Sequence, residues 1–342
     1  MIKRTFLVLL SIFIVCFIAM MGVLNSASLT QRALTFVVKK NLKGYELEKL
    51  AIDYQELTWP GELDLRKVFI KLKSKDGPVN LSIKQLHFSG LNRLIFFDSQ
   101  IAFRADGISF DGNKIVCPQA EFDGKLIFNM WTLLGWQATI GSPEIRVNKF
   151  KFSNISALID GFKREIFIRN IKSDFYKGHL NGNLRLVLTK QVQYLASINA
   201  QGVDLSALKD DEDALSQQIE GVVDGSISIL GNPEHIDSLA FKIKIIRDGR
   251  MRASLLKFVM PYLKGSGEAK YLQGLINKDQ KVPVEAANFE LKSLDSQKIS
   301  GVFNLGVRNL NLDLSQGLVD ILFDGNIFGI LKWYQRIKEG RL

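Results

Sequence analysis

Two different spacings of apolar residues divide this chain. Residues Phe6 to Leu24, FLVLLSIFIVCFIAMMGVL, form an uncharged apolar run with Lys3 and Arg4 directly before it. Leu29, Ala33, Phe36 and Val37 then fall at helical spacing, which predicts a short helix over residues 29–42. From Tyr45 onward the period drops to two. Leu63 and Leu65, then Val68, Ile70 and Leu72, alternate with charged residues, as do Val79, Leu81 and Ile83, then Ile101, Phe103 and Ala105, and Ile108 with Phe110. Ile145 and Val147, Phe150 and Phe152, and Ile166 and Ile168 repeat the pattern. Leu180, Gly182, Leu184, Leu186 and Leu188 then hold one parity. Gly225, Ile227 and Ile229 follow, then Phe241, Ile243 and Ile245, and finally Ile299, Gly301, Phe303, Leu305 and Val307. Turn chemistry punctuates these runs at Trp59-Pro60-Gly61, Asp76-Gly77-Pro78, Asp106-Gly107, Asp111-Gly112-Asn113 and Asp123-Gly124. Short alternating segments between such breaks predict an all-β body. With about 15 strands at roughly 4.8 Å each, it would extend about 70 Å across the strands.

Three segments depart from the strand pattern. Phe128 to Trp136 reads as a helix-like interruption, and residues 253–264, ASLLKFVMPYLK, as a helix. Near the C-terminus, Ile327, Ile330, Leu331, Tyr334 and Ile337 make one apolar stripe among Lys332, Arg336, Lys338 and Arg341. That stripe suits a cap on the end of a sheet or a basic amphipathic helix on a membrane surface. Alternatively, Asp324-Gly325-Asn326 is a hairpin turn. A phase slip at Arg308-Asn309 predicts a bulge or turn.

The first apolar run is long enough to cross a bilayer, which needs about 20 residues, and longer than a signal-peptide core of about 7–15. It predicts a retained anchor, although Ser26-Ala27-Ser28 offers a passable cleavage site. Lys3 and Arg4 abut the run, whereas Arg32, Lys39, Lys40 and Lys43 follow only after an uncharged stretch. This places the N-terminus in the cytoplasm and the body outside it. The body's one cysteine, Cys117, has no intramolecular disulfide partner, Cys16 lying within the run. An exported body without cystines points toward a bacterial envelope.

The formal net charge of +10 changes the picture little. Basic residues sit singly between apolar ones, as at Lys71 and Lys73, Lys149 and Lys151, and Lys242 and Lys244. In a strand they project from the face opposite the apolar residues, giving a solvated outer face or one attracted to anionic headgroups. Nucleic acid is not an expected partner.

Nothing in the sequence marks an enzyme, a cofactor or a metal site. His87, His179 and His235 stand far apart without His-Glu-x-x-His spacing. Ser99, Ser109 and Ser142 lack the Gly-x-Ser-x-Gly elbow of hydrolases. Asp204 and Asp224 sit in turn-like contexts, and Asp210-Asp211-Glu212-Asp213 suits a polar loop.

The stretch from Phe175 to Met251 carries a resemblance. FYKGHLNGNLRLVLTKQVQYLASINAQGVDLSAL and IEGVVDGSISILGNPEHIDSLAFKIKIIRDGRM resemble the C-terminal region of the AsmA family. The matching positions are Tyr176, Gly178, Gly182, Gly202-Val203-Asp204-Leu205, Gly221, Gly225, Gly231 and Asp248-Gly249. The anchor, exit helix and first strands suit that layout, and about half the chain is covered. The chain is also similar to the membrane-anchored N component of type II secretion, which would make it a non-lipid scaffold or assembly component. The AsmA resemblance implies a single-pass inner-membrane protein with a periplasmic body and a role in outer-membrane biogenesis. The implied fold is a long curved antiparallel sheet forming a hydrophobic groove for phospholipid, with an envelope partner or oligomer completing any conduit. The division expected is residues 1–27 for the anchor, 28–160 for a first β-rich region and 161–342 for the AsmA-like region.

Alternation by itself fits a groove and a solid sandwich core equally well; the resemblance favours the groove. Its expected lining is Leu180, Leu184, Leu186, Leu188, Ile227, Ile229, Phe241, Ile243, Ile245, Phe303 and Leu305.

Overall fold

The computed structural model describes residues 46–58, 61–74, 77–95, 99–112, 115–129, 132–189, 192–210, 218–232, 235–254, 267–293, 298–307 and 319–322, with the isolated positions 32 and 260. The expected anchor, all of the exit helix but residue 32, the acidic segment 211–213 and residues 323–342 lie outside them. Of the helix expected over 253–264, only 253, 254 and 260 are described. No helix among the described residues is long and apolar enough to cross a membrane.

The described chain is mainly antiparallel β-sheet and divides into two compact units, Met1–Asn148 and Lys149–Leu342. The division falls in the link between two strands, before the expected boundary at 160. The first unit contains β1 (Glu46–Thr58), β2 (Glu62–Ser74), β3 (Gly77–Ser89), β4 (Ser99–Asp111), β5 (Ile115–Asn129) and β6 (Thr132–Val147). The second contains β7 (Phe150–Phe162), β8 (Glu165–Phe175), β9 (Gly178–Leu188), β10 (Val192–Asp204), β11 (Ile219–Gly231), β12 (Ile236–Arg252), β13 (Lys281–Ser293), β14 (Lys298–Val307) and β15 (Val319–Leu322). Within each unit every strand pairs with its sequence neighbours, so the order is a plain meander.

Most strands run 13 residues or more, against about 5–6 in ordinary sheets. A long strand accumulates twist, and here nearly every one breaks step once. In β2 the apolar parity changes from Leu63 and Leu65 to Val68 and Ile70 across Lys67, whose φ is 51°. In β3 it changes across Lys84, and in β4 across Asp106-Gly107, with Gly107 at φ 63°. The breaks are neighbours, because Arg66 pairs with Gln85, Gln85 with Asp106, and Val68 with Ile83, itself opposite Ile108. The second unit repeats the device at Asn154, Asn170, Gly202, Gly221 and Asp248, all with positive φ. Each break lets a long strand bend and return its apolar residues to the same face.

A bulge leaves backbone groups without ladder partners, and side chains meet several of them. The buried Ser142 hydroxyl donates to the Gln119 carbonyl at 2.6 Å, with the Glu144 carbonyl at 2.9 Å. Buried Ser173 donates to the Ser153 carbonyl at 3.0 Å. Asp224 accepts the Gly202 N–H at 2.8 Å, and Asn183 accepts the Asn170 N–H at 3.1 Å. Ser142 and Asp224, weighed as chemistry in the sequence, thus serve the bent ladder.

Three expectations need correction. Phe128 to Trp136 is not helical: Phe128 pairs with Leu133 and Asn129 with Thr132, closing β5 onto β6. Its apolar residues fall at 128, 130, 131, 133, 134 and 136, a spacing that follows neither period cleanly. Asp106-Gly107 and Asp123-Gly124 are not turns but lie inside β4 and β5. At Gly124 a Cβ would stand 2.2 Å from the Gln137 carbonyl oxygen, so this glycine marks a close approach of strands.

The helix α1 (Gly267–Asn277) was not expected. Ala269, Leu272 and Ile276 recur at i, i+3 and i+7 and pack onto Val223, Ile245, Val282, Val284 and Ala287. Leu272 is fully buried. The helix stops at Asp279, in the left-handed conformation at φ 48°, whose N–H donates to the Ile276 carbonyl at 3.0 Å.

Candidate functional site

The strand register of the second unit places the expected lining residues on one face, in cross-strand rows. Ile168, Leu184, Ala196, Ile229 and Leu239 make one row. Gly182, Ile198, Ile227, Phe241 and Leu291 make the next. Leu180, Ala200, Gly225, Ile243 and Phe289 make a third, with Phe303 opposite Phe289. Beyond the bulges, Val203, Val223, Ile245 and Ala287 form a fourth, with Leu305 opposite Ala287. Glycine at 182 is required by space: a Cβ would lie 2.5 Å from the Ser197 carbonyl oxygen.

Burial splits this face in two. The fourth row is a packed core under α1 and the 3-10 turn Leu205–Asp210, with Val203, Val223, Ile245 and Ala287 all buried. Ile245 therefore belongs to a solid core, and Ile243 packs against its border. The other rows are closed only at their β12–β13 edge, where Leu239 and Leu291 are buried with Ile236, and Ile227, Ile229, Phe241 and Phe289 pack against them. Leu180, Leu184, Leu186, Ile227, Ile229 and Phe241 are only half-buried, and Ile198 and Leu188 keep 38% and 41% of their surface exposed. A side chain in a sandwich core loses nearly all contact with water, and these do not. Tyr194 stands on the same face opposite Leu186, and burial pushes its phenol above the ordinary range.

The opposite face carries paired charges along the middle of the strands, with exposed Phe162, Leu195 and Leu230 at one end. Arg185 meets Glu165 at 2.9 Å and Arg169 meets Asp160 at 2.6 Å, with both guanidiniums against the Phe167 ring at 5.3 and 5.5 Å. Lys242 pairs with Glu290, holding that carboxyl below its usual range. Lys71 in the first unit pairs with Glu48 at 2.8 Å. Exposed pairs of this kind add little stability; they make one face wet and leave the other greasy.

The residues weighed for catalysis are dispersed. His87 lies 3.0 Å from Asp64 and His179 2.8 Å from Asp174, each pair bridging adjacent strands, while His235 sits in the β11–β12 turn. Asp204 is held below the usual carboxylate range by the Lys177 ammonium at 2.8 Å and by Ser206. Cys117 is buried beside Ser142. Among the described residues no three or more His, Cys, Asp or Glu side chains gather at metal-ligand range.

No family model, no curated protein and no solved structure matches the chain.

Proposed function

We propose that this chain is an envelope protein of the AsmA-like kind, anchored in a bacterial inner membrane by residues 6–24. Its periplasmic sheet holds phospholipid acyl chains against the apolar face. The observation that carries this reading is the contiguous, partly exposed apolar surface spanning β8 to β11. A protein that merely needed a core would cover such a surface. Each acyl methylene left in water costs about 0.8 kcal/mol, so a two-chain lipid leaving a bilayer faces a cost on the order of 20 kcal/mol. A continuous apolar face offsets most of it, and the outer face of paired charges keeps the sheet soluble. On this reading the sheet is curved into a groove, binds without catalysis or cofactor, and works with an envelope partner or a second copy.

Site-specific photocrosslinking in cells tests this on the full chain. A photoreactive residue at Leu186 or Ile229 should capture phospholipid, detected by mass spectrometry. The same residue at Arg185 or Ser228, one step away and facing outward, should not. Equal capture from both faces, or none from either, refutes the proposal. Protein crosslinks at Leu186 and Ile229 in place of lipid would support a scaffold within secretion or envelope machinery.

A further inference from the structure

We propose that the hairpin end of the second unit, where β7 turns into β8 and β9 into β10, docks on an anionic membrane surface. This is independent of whether the apolar face carries lipid. The last residues at this end are apolar on both faces of the sheet. Phe162 is 53% exposed, and Leu188, Val192, Leu195 and Leu230 are each about 40% exposed. Register puts them together: Leu188 pairs with Val192, Leu195 lies beside Leu230, and Phe162 opposite Glu165 adjoins Val187. Large apolar side chains crowded at one rim mark an interaction site rather than the ordinary scatter of surface residues.

Charge decides the occupant. The β7–β8 turn is Lys163-Arg164, and both side chains are exposed. Lys163 stands 5.2 Å over the Phe162 ring. Neither meets a carboxylate among the described residues. Glu165 and Asp160, the acids of the same hairpin, are engaged by Arg185 and Arg169. An aromatic beside unneutralised basic residues, above a rim of aliphatics, is the arrangement that binds headgroups and dips side chains below them. Each basic residue near an anionic surface strengthens attachment about fivefold, so Lys163 and Arg164 together contribute about thirtyfold.

The test holds the full chain by its N-terminal segment in nanodiscs of phosphatidylcholine and measures co-flotation with separate vesicles. Vesicles of phosphatidylcholine and phosphatidylglycerol in equal parts should carry the protein, and pure phosphatidylcholine vesicles should carry far less. K163E/R164E should weaken attachment to the anionic vesicles about thirtyfold or more. F162S/L230S should weaken attachment to both kinds, and circular dichroism should show each variant folded. These residues are exposed, so folding is not at stake. No flotation by the wild-type chain, equal flotation with both vesicle types, or unchanged flotation of K163E/R164E overturns the proposal. Binding of the rim to a purified protein partner with no affinity for either vesicle does so as well.

Discussion

Leu272 and Leu184 are both leucines on or against the same sheet, and replacing each by alanine separates a packed core from an open face. Either change removes about three carbon groups, at about 0.8 kcal/mol for each one fully withdrawn from water. Leu272 is fully buried between α1 and the sheet. L272A therefore loses about 2.5 kcal/mol of transfer free energy, and the rigid surroundings add about 1–2 kcal/mol for the cavity left behind. The total is about 4 kcal/mol. Leu184 is half-buried in the open rows. L184A loses about half the transfer contribution, and water fills the space, so the cost is about 1 kcal/mol. Native-state hydrogen exchange on the delipidated full chain, read on peptides from β12 and α1 for L272A and from β9 for L184A, measures both. If L184A costs as much as L272A, the open rows are a packed core and the binding face does not exist. If L272A costs as little as L184A, the helix does not seal the lower row.

Three further outcomes follow from the bent ladder and its turns. S142A removes the hydroxyl that donates to the Gln119 carbonyl at the β5–β6 bulge and should cost about 1 kcal/mol, seen as a lower midpoint in urea. G182A drives a Cβ onto the Ser197 carbonyl oxygen, so the thermal midpoint should fall by several degrees; an unchanged midpoint would mean the strands separate freely there. Lys177 and then Ser206 depress the Asp204 carboxyl, so its stabilisation is complete above the unfolded value of about 3.9 and is lost as pH falls through the folded value. D204N should be less stable than the native chain at neutral pH, and the two denaturation midpoints should converge in acid.

How far the sequence revealed this structure depends on what each signal physically reports. Period-two alternation reports one dry face, so the strands and the shared face of Leu184, Ile227 and Phe241 were legible. Asp-Gly reports only a backbone that tolerates positive φ. Bulges need that as much as turns do, which is why Asp106-Gly107 suggested a turn and proved to be a break inside a strand. Strands of ordinary length would have made the turn reading right; these are more than twice as long. The helix α1 was hidden because Gly267 and Gly274 weaken its propensity and its apolar stripe is only a few residues wide. Its presence is what moves Ile245 from an open lining to a core, a distinction no single-chain periodicity contains. The exposed rim at Phe162 and Leu230 was equally hidden. Only register gathers those residues at one end.

The plain meander has a consequence for how such a protein is made and how it diverges. Within each unit no strand waits for a partner from a distant part of the chain, so contacts are local and folding can begin as soon as two neighbours emerge from the ribosome. Growth is equally local. Inserting or deleting two strands together restores the direction of every later strand and leaves the remaining neighbours intact, as in a repeat array. A lineage can therefore shorten or extend its reach by whole hairpins, while the breaks within each strand keep the greasy side facing the same way.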